Sequence, residues 1–138
     1  NIIKPDIGIC LDTTIANDLP DVPKRKYVTQ LGQGPAIKLM DSGVITDRSL
    51  TNFILKIADT ENIDMQREIM TGGSTDTSAM QYRTGNGVIV ASLSIPTRYL
   101  HSTIETANNN DIKHTIDILT VLIKKIHQFK FSKHNLTI

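Results

Sequence analysis

Two short apolar runs near the start of the chain each end on an aspartate. Ile7-Gly8-Ile9-Cys10-Leu11 closes at Asp12, the shape of a buried strand whose tip delivers a carboxylate. Pro35 to Met40 repeats the shape and closes at Asp41. Between them, residues 13 to 34 hold Pro20, Pro23, Gly32 and Gly34 with little periodicity, which predicts a long loop. Loops of that length inside a domain are functional or disordered.

The period then changes. Leu50, Phe53, Ile54, Ile57 and Ala58 recur at helical spacing behind Thr46, a suitable cap. Met65 to Met70 predicts a weaker strand, and Thr71-Gly72-Gly73-Ser74-Thr75-Asp76 a turn opening a short helix through about Tyr82. Gly87 to Ile95 is the strongest strand signal, a near-continuous apolar run stopped by Pro96 and suited to a strand covered on both faces. A final helix is expected from about Asn110 to Phe129, with Ile112, Ile116, Leu119, Ile123 and Ile126 as its main stripe. Ile118, Leu122 and Phe129 widen that stripe. The tail from Lys130 has no periodicity and is expected to fray. Strands alternating with helices define an α/β fold, with helices flanking a mixed sheet.

Composition narrows the classes. Hydrophobic residues make up 39% and charged ones 21%, an ordinary globular balance, and fifteen basic against fourteen acidic side chains leave a net charge of +1. The basic residues are interspersed with acids, so no nucleic-acid footprint is present. The cluster Lys24-Arg25-Lys26 sits beside a proline and reads as a solvated loop. One cysteine, Cys10, cannot pair internally and fits a reducing compartment, hence a cytoplasmic location. No apolar run reaches the length of a membrane span, and no signal peptide is visible. The sequence starts at Asn1 and enters a strand almost at once, so it is expected to be cut from a longer chain.

Candidate chemistry concentrates at Asp12, at Lys38-Leu39-Met40-Asp41, at the Gly-Gly-Ser-Thr-Asp turn, and at Arg98-Tyr99-Leu100-His101-Ser102. In α/β sheets ligands gather beyond the carboxyl ends of strands. Asp12 and His101 are candidates there for a carboxylate and an imidazole ligand of Zn²⁺ or Co²⁺. Spacing alone is weak support, because isolated Asp and His residues are more often hydrogen-bonded structure.

The order of the motifs adds more. Leu11-Asp12-Thr13-Thr14, Asp18-Leu19-Pro20 and Leu31-Gly32-Gln33-Gly34-Pro35-Ala36-Ile37-Lys38 are followed by Met40-Asp41 and Gly72-Gly73-Ser74-Thr75-Asp76. Ser94-Ile95-Pro96-Thr97-Arg98-Tyr99-Leu100-His101-Ser102 then precedes the terminal helix. This arrangement resembles the glutamyl and deblocking aminopeptidases, dinuclear-metal exopeptidases that often form tetrahedral dodecamers, some members of which are labelled endoglucanase. The resemblance runs from about Ile7 to Ile126. It implies that residues 1–138 are the C-terminal part of a zinc-exopeptidase-type catalytic domain, acting on peptide substrates, with two divalent ions (Zn or Co) and homo-oligomeric assembly in the complete enzyme.

Residue by residue, the resemblance assigns Asp12 to one metal and His101 to the other. It places Ser102, Thr75 and Asp76 beside the metal site, as pocket wall or outer support. Lys38 would project a cation towards an acidic N-terminal substrate residue; otherwise it is an exposed strand lysine. Asp76 also suits an Asx turn or cap, and Gly72 and Gly73 a tight turn. Arg98 reads as a surface ion pair, or else as a contact to the pocket or a neighbouring subunit.

The sequence departs from the family pattern in two respects. Ser74, Thr77 and Ser78 stand where the family has small residues. The family's first histidine ligand, bridging aspartate, Glu-Glu pair and inserted β-barrel domain have no counterpart in these 138 residues. The chain alone is therefore expected to be catalytically silent, since the general base is missing. Two other readings are a non-catalytic assembly or regulatory module that keeps the fold, and a glycoside hydrolase using two of Asp12, Asp41 and Asp76.

Overall fold

The computed structural model describes residue 3 and residues 5–83 and 87–130. The frayed tail expected from Lys130 falls almost wholly outside them. Four strands form the sheet: β1 (Ile7–Ile15), β2 (Ala36–Met40), β3 (Gln66–Ile69) and β4 (Ile89–Arg98), in spatial order β1-β4-β2-β3, with the two-residue β5 (Thr106–Ala107) pairing on β4. β1 runs parallel to β4 and β3 parallel to β2, while β2 opposes β4, so the sheet is mixed. Helices α1 (Arg48–Glu61), α2 (Asp76–Arg83) and α3 (Asn109–Lys125) flank it.

β1 is longer than its apolar run predicts. It continues through Thr13, Thr14 and Ile15, β-branched residues that suit a pleated strand, because β4 offers a partner at each position. Asp12 therefore lies within the strand rather than at its tip, beside Ser94. β4 likewise passes Pro96, the expected stop, and ends at Arg98. The Thr97 carbonyl turns towards β1 and accepts the Ala16 amide at 3.0 Å, so the Pro96 nitrogen faces the other way. On that side the β2 ladder has already ended at Ala36 opposite Ser94, and the missing N–H costs no ladder bond.

The main core lies between the sheet and two helices. Ile37, Ala91 and Leu93 from the strands meet Leu50, Ile54, Ile57 and Ala58 of α1 and Ile118 and Leu122 of α3. α1 is capped by Asp47, whose carboxylate accepts the Leu50 amide. Thr46, the expected cap, instead donates its hydroxyl to the Lys38 carbonyl at 2.6 Å. α1 ends on Asn62 in the left-handed conformation, φ 54°. α2 covers the opposite face of the sheet, with Met80 packed against Val44, Val88 and Val90.

α3 corrects the expected stripe. Ile118 and Leu122 are buried, whereas Ile112, Ile116 and Ile123, the supposed centre of the stripe, are exposed. The helix is apolar over a wider arc than one neighbour covers, so periodicity alone could not select the inward face. No helix among the described residues is long and apolar enough to cross a membrane.

Candidate active site

Asp12 lies within β1 beside Ser94 of β4, and His101 lies in the turn that follows β4. β1 pairs with β4 up to Ile15 beside Thr97, and His101 follows four residues later in the turn between β4 and β5. The Asp12 carboxylate is exposed and accepts the amide of its own neighbour Thr13 at 2.8 Å. The His101 turn is unusual in its backbone: Tyr99 and His101 both adopt positive φ, 59° and 65°. That conformation is unfavourable for non-glycine residues, and such strain collects at functional sites. Glu105 Oε1 accepts the His101 amide at 2.7 Å, and the Ser102 amide donates to the Tyr99 carbonyl at 3.0 Å. Ser102 also donates its hydroxyl to the Ile104 carbonyl, so it braces the turn.

The turn before α2 is anchored from below. Asp41, nearly fully buried, accepts the amides of Gly43 and Val44 through Oδ1. Its other oxygen lies 3.4 Å from the Thr75 hydroxyl and 3.6 Å from the Lys38 ammonium. Ser42 adds hydrogen bonds from both its amide and its hydroxyl to the Gly73 carbonyl. Thr75 further donates to Thr77 Oγ1 at 2.9 Å, which explains why a hydroxyl rather than a small residue stands at position 77, itself fully buried. Asp76 is exposed at the first residue of α2, where its charge complements the helix amides.

Lys38 is neither on the surface nor open to a ligand. It is 1% exposed, and its ammonium bonds to Glu68 Oε1 at 2.5 Å, with Glu68 fully buried. The same oxygen accepts the Thr14 hydroxyl at 2.8 Å. A buried ammonium persists only with its charge matched, and two carboxylates of its own chain do so here. Strand alternation on β2 put Lys38 on the face opposite Ile37, but Glu68 lay in the weakest strand signal and gave no sign of being its partner.

Arg98 makes an internal contact. Its guanidinium forks onto Asp18, Nε to Oδ1 at 2.8 Å and Nη2 to Oδ2 at 2.7 Å, and Nη2 also donates to the Asp18 carbonyl. The hydrogen bonds from Arg98 hold the Asp18 carboxyl below its ordinary range, and Asp18 raises Arg98 in turn. Asp18 also accepts the Leu31 amide. The loop is fastened a second time where buried Asp111, in the first turn of α3, accepts the amides of Gly32 and Gly34 at 2.8 Å each. Asp18 was visible as part of a motif; nothing in the sequence marked Asp111, 77 residues from Gly34, as its loop's second anchor.

Among the described residues, no three His, Cys, Asp or Glu side chains gather as a metal ion would need. Asp12 and His101 are two donors, short of the four protein ligands of a structural zinc site or the three of a catalytic one. By themselves these residues do not fit a metal centre.

The described residues form a mixed sheet flanked by three helices, an α/β fold. The chain belongs to the M42 glutamyl aminopeptidase family, whose pattern matches residues 1–118. It is 36% identical over 133 residues to the lysyl aminopeptidase of Pyrococcus furiosus, covering 94% of this chain and 36% of that protein. Its fold superposes on an aminopeptidase of the archaeon Desulfurococcus kamchatkensis with TM-score 0.85 at 32% identity, covering 95% of this chain and 39% of the other. The Pyrococcus horikoshii TET1 peptidase, which assembles into a tetrahedron or a large octahedral shell, gives TM-score 0.69 at 30% identity over 86% of this chain and 33% of its own. The chain thus spans a little over a third of the length of the curated relatives it matches.

Proposed function

We propose that this chain is the C-terminal part of the catalytic domain of a metal-dependent aminopeptidase, a hydrolase that removes N-terminal residues from peptides in the cytoplasm. The observation that carries the reading is that Asp12 lies on β1 and His101 in the strained turn that follows its parallel neighbour β4, where Glu105 accepts the His101 amide. In the complete enzyme Asp12 would serve one of two divalent ions, zinc or cobalt, and His101 the other. The remaining ligands and the general base belong to the portion of the family fold that these 138 residues do not cover.

Thr75, Asp76 and Ser102 are the substrate-side residues of this segment. Thr75 is oriented by Thr77 and Asp41, and Ser102 keeps the histidine turn in shape. Lys38 does not supply a preference for acidic N-termini, because its charge is already met by Glu68 and Asp41. Its part is to hold Asp41, and through Asp41 the turn bearing Thr75. Relatives that build closed shells support homo-oligomeric assembly of the complete enzyme, from dimer to dodecamer.

The test is hydrolysis of aminoacyl p-nitroanilides by the complete protein and by this chain alone. Asp12→Ala and His101→Ala in the complete protein are each expected to lower kcat/KM by at least about 10³-fold, a loss of roughly 4 kcal/mol of transition-state stabilisation. The 138-residue chain alone is expected to be inactive. Wild-type turnover in either variant would sink the assignment.

A further inference from the structure

Three buried oxygens of the sheet, Glu68 Oε2, Ser92 Oγ and Ser94 Oγ, have no hydrogen-bond partner among the described residues. All three residues are 0% exposed. Ser94 stands between Asp12 of β1 and Ala36 of β2. Lys38, two residues beyond Ala36, pairs with Glu68 of β3. Strand alternation therefore puts Ser92, Ser94, Lys38 and Glu68 on one face, opposite the face where Ile37 and Leu93 meet α1 and α3.

The Glu68 side chain crosses that face. It starts on β3, and its Oε1 accepts both the Lys38 ammonium of β2 at 2.5 Å and the Thr14 hydroxyl of β1 at 2.8 Å. β4 lies between β1 and β2, so a carboxylate bonded to both sits over β4, on the side where Ser92 and Ser94 project. A serine hydroxyl turns freely and donates to any carboxylate oxygen within reach. Neither serine does so, and the three oxygens are held apart around a space wider than one hydrogen bond. Charge gives that space its character. Lys38 faces two carboxylates, Glu68 at 2.5 Å and Asp41 at 3.6 Å, so the buried cluster carries one negative charge in excess. Asp41 is further satisfied by the Gly43 and Val44 amides, which leaves the excess on Glu68 Oε2. An unmatched charge in a protein interior is strongly unfavourable.

We infer that this face binds one alkali cation, Na⁺ or K⁺, held by Glu68 Oε2 and the hydroxyls of Ser92 and Ser94. The donors are hard oxygens with a single net negative charge, which matches a monovalent ion. A divalent ion would leave the interior positive, and a transition metal favours nitrogen or sulfur donors that this set does not offer. A water molecule would complete the hydrogen bonds and leave the charge unmatched. The donors are sealed within this chain, so the site does not depend on the rest of the family fold. It lies beside the candidate active site: Ser94 neighbours Asp12, and Lys38 is shared with Asp41, which supports the Thr75 turn.

The test is thermal unfolding of the complete protein in NaCl, KCl and N-methylglucamine chloride at equal ionic strength. Na⁺ or K⁺ is expected to raise Tm by at least about 2 °C over the bulky organic cation, with saturation, and the better of the two reports the size of the site. Ser92→Ala and Ser94→Ala each remove one donor with little change of volume, and each should raise the half-saturating concentration at least about tenfold. Glu68→Gln should abolish the dependence. Crystals grown in RbCl should show an anomalous peak bounded by the three oxygens. Equal Tm in all three salts, with no such peak, overturns the inference, because water or a proton would then complete the cluster. A cation dependence unchanged in both serine variants overturns it too, since the ion would lie elsewhere.

Discussion

Arg98 and Asp18 are joined by two parallel hydrogen bonds of 2.8 and 2.7 Å, which fasten the loop after β1 to the last residue of β4. Asp18 is 80 residues away from its partner in sequence, and the contact sits three residues before His101. The planar guanidinium fork fits both carboxylate oxygens, which a lysine ammonium does not. Arg98→Lys is therefore expected to lower Tm, and Arg98→Ala to lower it further and loosen the His101 turn. Both are readable by thermal melts and by amide exchange at Tyr99–Ser102.

The same pair gives an acid-side signature. Arg98 depresses the Asp18 carboxyl below its ordinary value of 3.8. A carboxyl depressed in the folded state stabilises fully above its unfolded value, and that contribution is lost as pH falls through the folded value. The stability of the native chain should therefore fall more steeply than that of Asp18→Asn as pH drops below about 4. Parallel curves for the two proteins over that range would show that the pair contributes nothing.

Much of the strand and helix layout was legible because period and chemistry agreed: β2 and α1 follow their apolar patterns closely, and β4 does so as far as Pro96. Asp18 and Arg98 stood out within the motifs, although their pairing across 80 residues did not. The misreadings share a cause, which is that a neighbour decided the outcome. β1 outran its apolar run because β4 was there to pair with Thr13–Ile15. Ile112 and Ile116 were misassigned to the core because α3 is apolar on two sides and only one is covered. Lys38 could not be assigned from its own strand, because its partners Glu68 and Asp41 come from β3 and the following loop.

Lys38 should be among the most sensitive positions in the chain. Lys38→Ala leaves Glu68 and Asp41 buried with one fewer cation, and breaking a buried pair in this way costs about 3–5 kcal/mol. Lys38→Met with Glu68→Gln removes both charges while keeping volume, so it should recover a large part of that loss. Urea denaturation of the single and double variants measures the coupling. Additive losses would mean that the contact between Lys38 and Glu68 contributes little.

Asp111 supports the loop from the helix side. Its buried carboxylate takes the Gly32 and Gly34 amides, so Asp111→Ala leaves the buried Gly34 donor and the part-buried Gly32 donor unmet, at a cost of about 1–3 kcal/mol. Asp111→Asn keeps one acceptor oxygen and should lose less. Equal stability for all three proteins would show that water replaces the carboxylate freely.

Gly34 is the position in this loop with least tolerance. Its φ is +79°, and a Cβ built there would lie 2.0 Å from the Asp64 carbonyl oxygen, a backbone atom that cannot rotate away. Strain and overlap act together, so Gly34→Ala should destabilise by about 3 kcal/mol or more. Gly72, in the turn before α2, has no positive φ, and a Cβ added to it would meet nothing within 4 Å, so Gly72→Ala is the matched control. It should leave the melting midpoint nearly unchanged, because an alanine there meets no neighbour and even reduces unfolded-chain entropy. The comparison separates the two glycine motifs of the family pattern. In Gly32-Gln33-Gly34 the last glycine is demanded by main-chain approach to Asp64. In Gly72-Gly73 the first glycine meets no such barrier, so if Gly72→Ala weakens substrate turnover in the complete enzyme while stability is unchanged, the space it leaves serves the substrate rather than the fold.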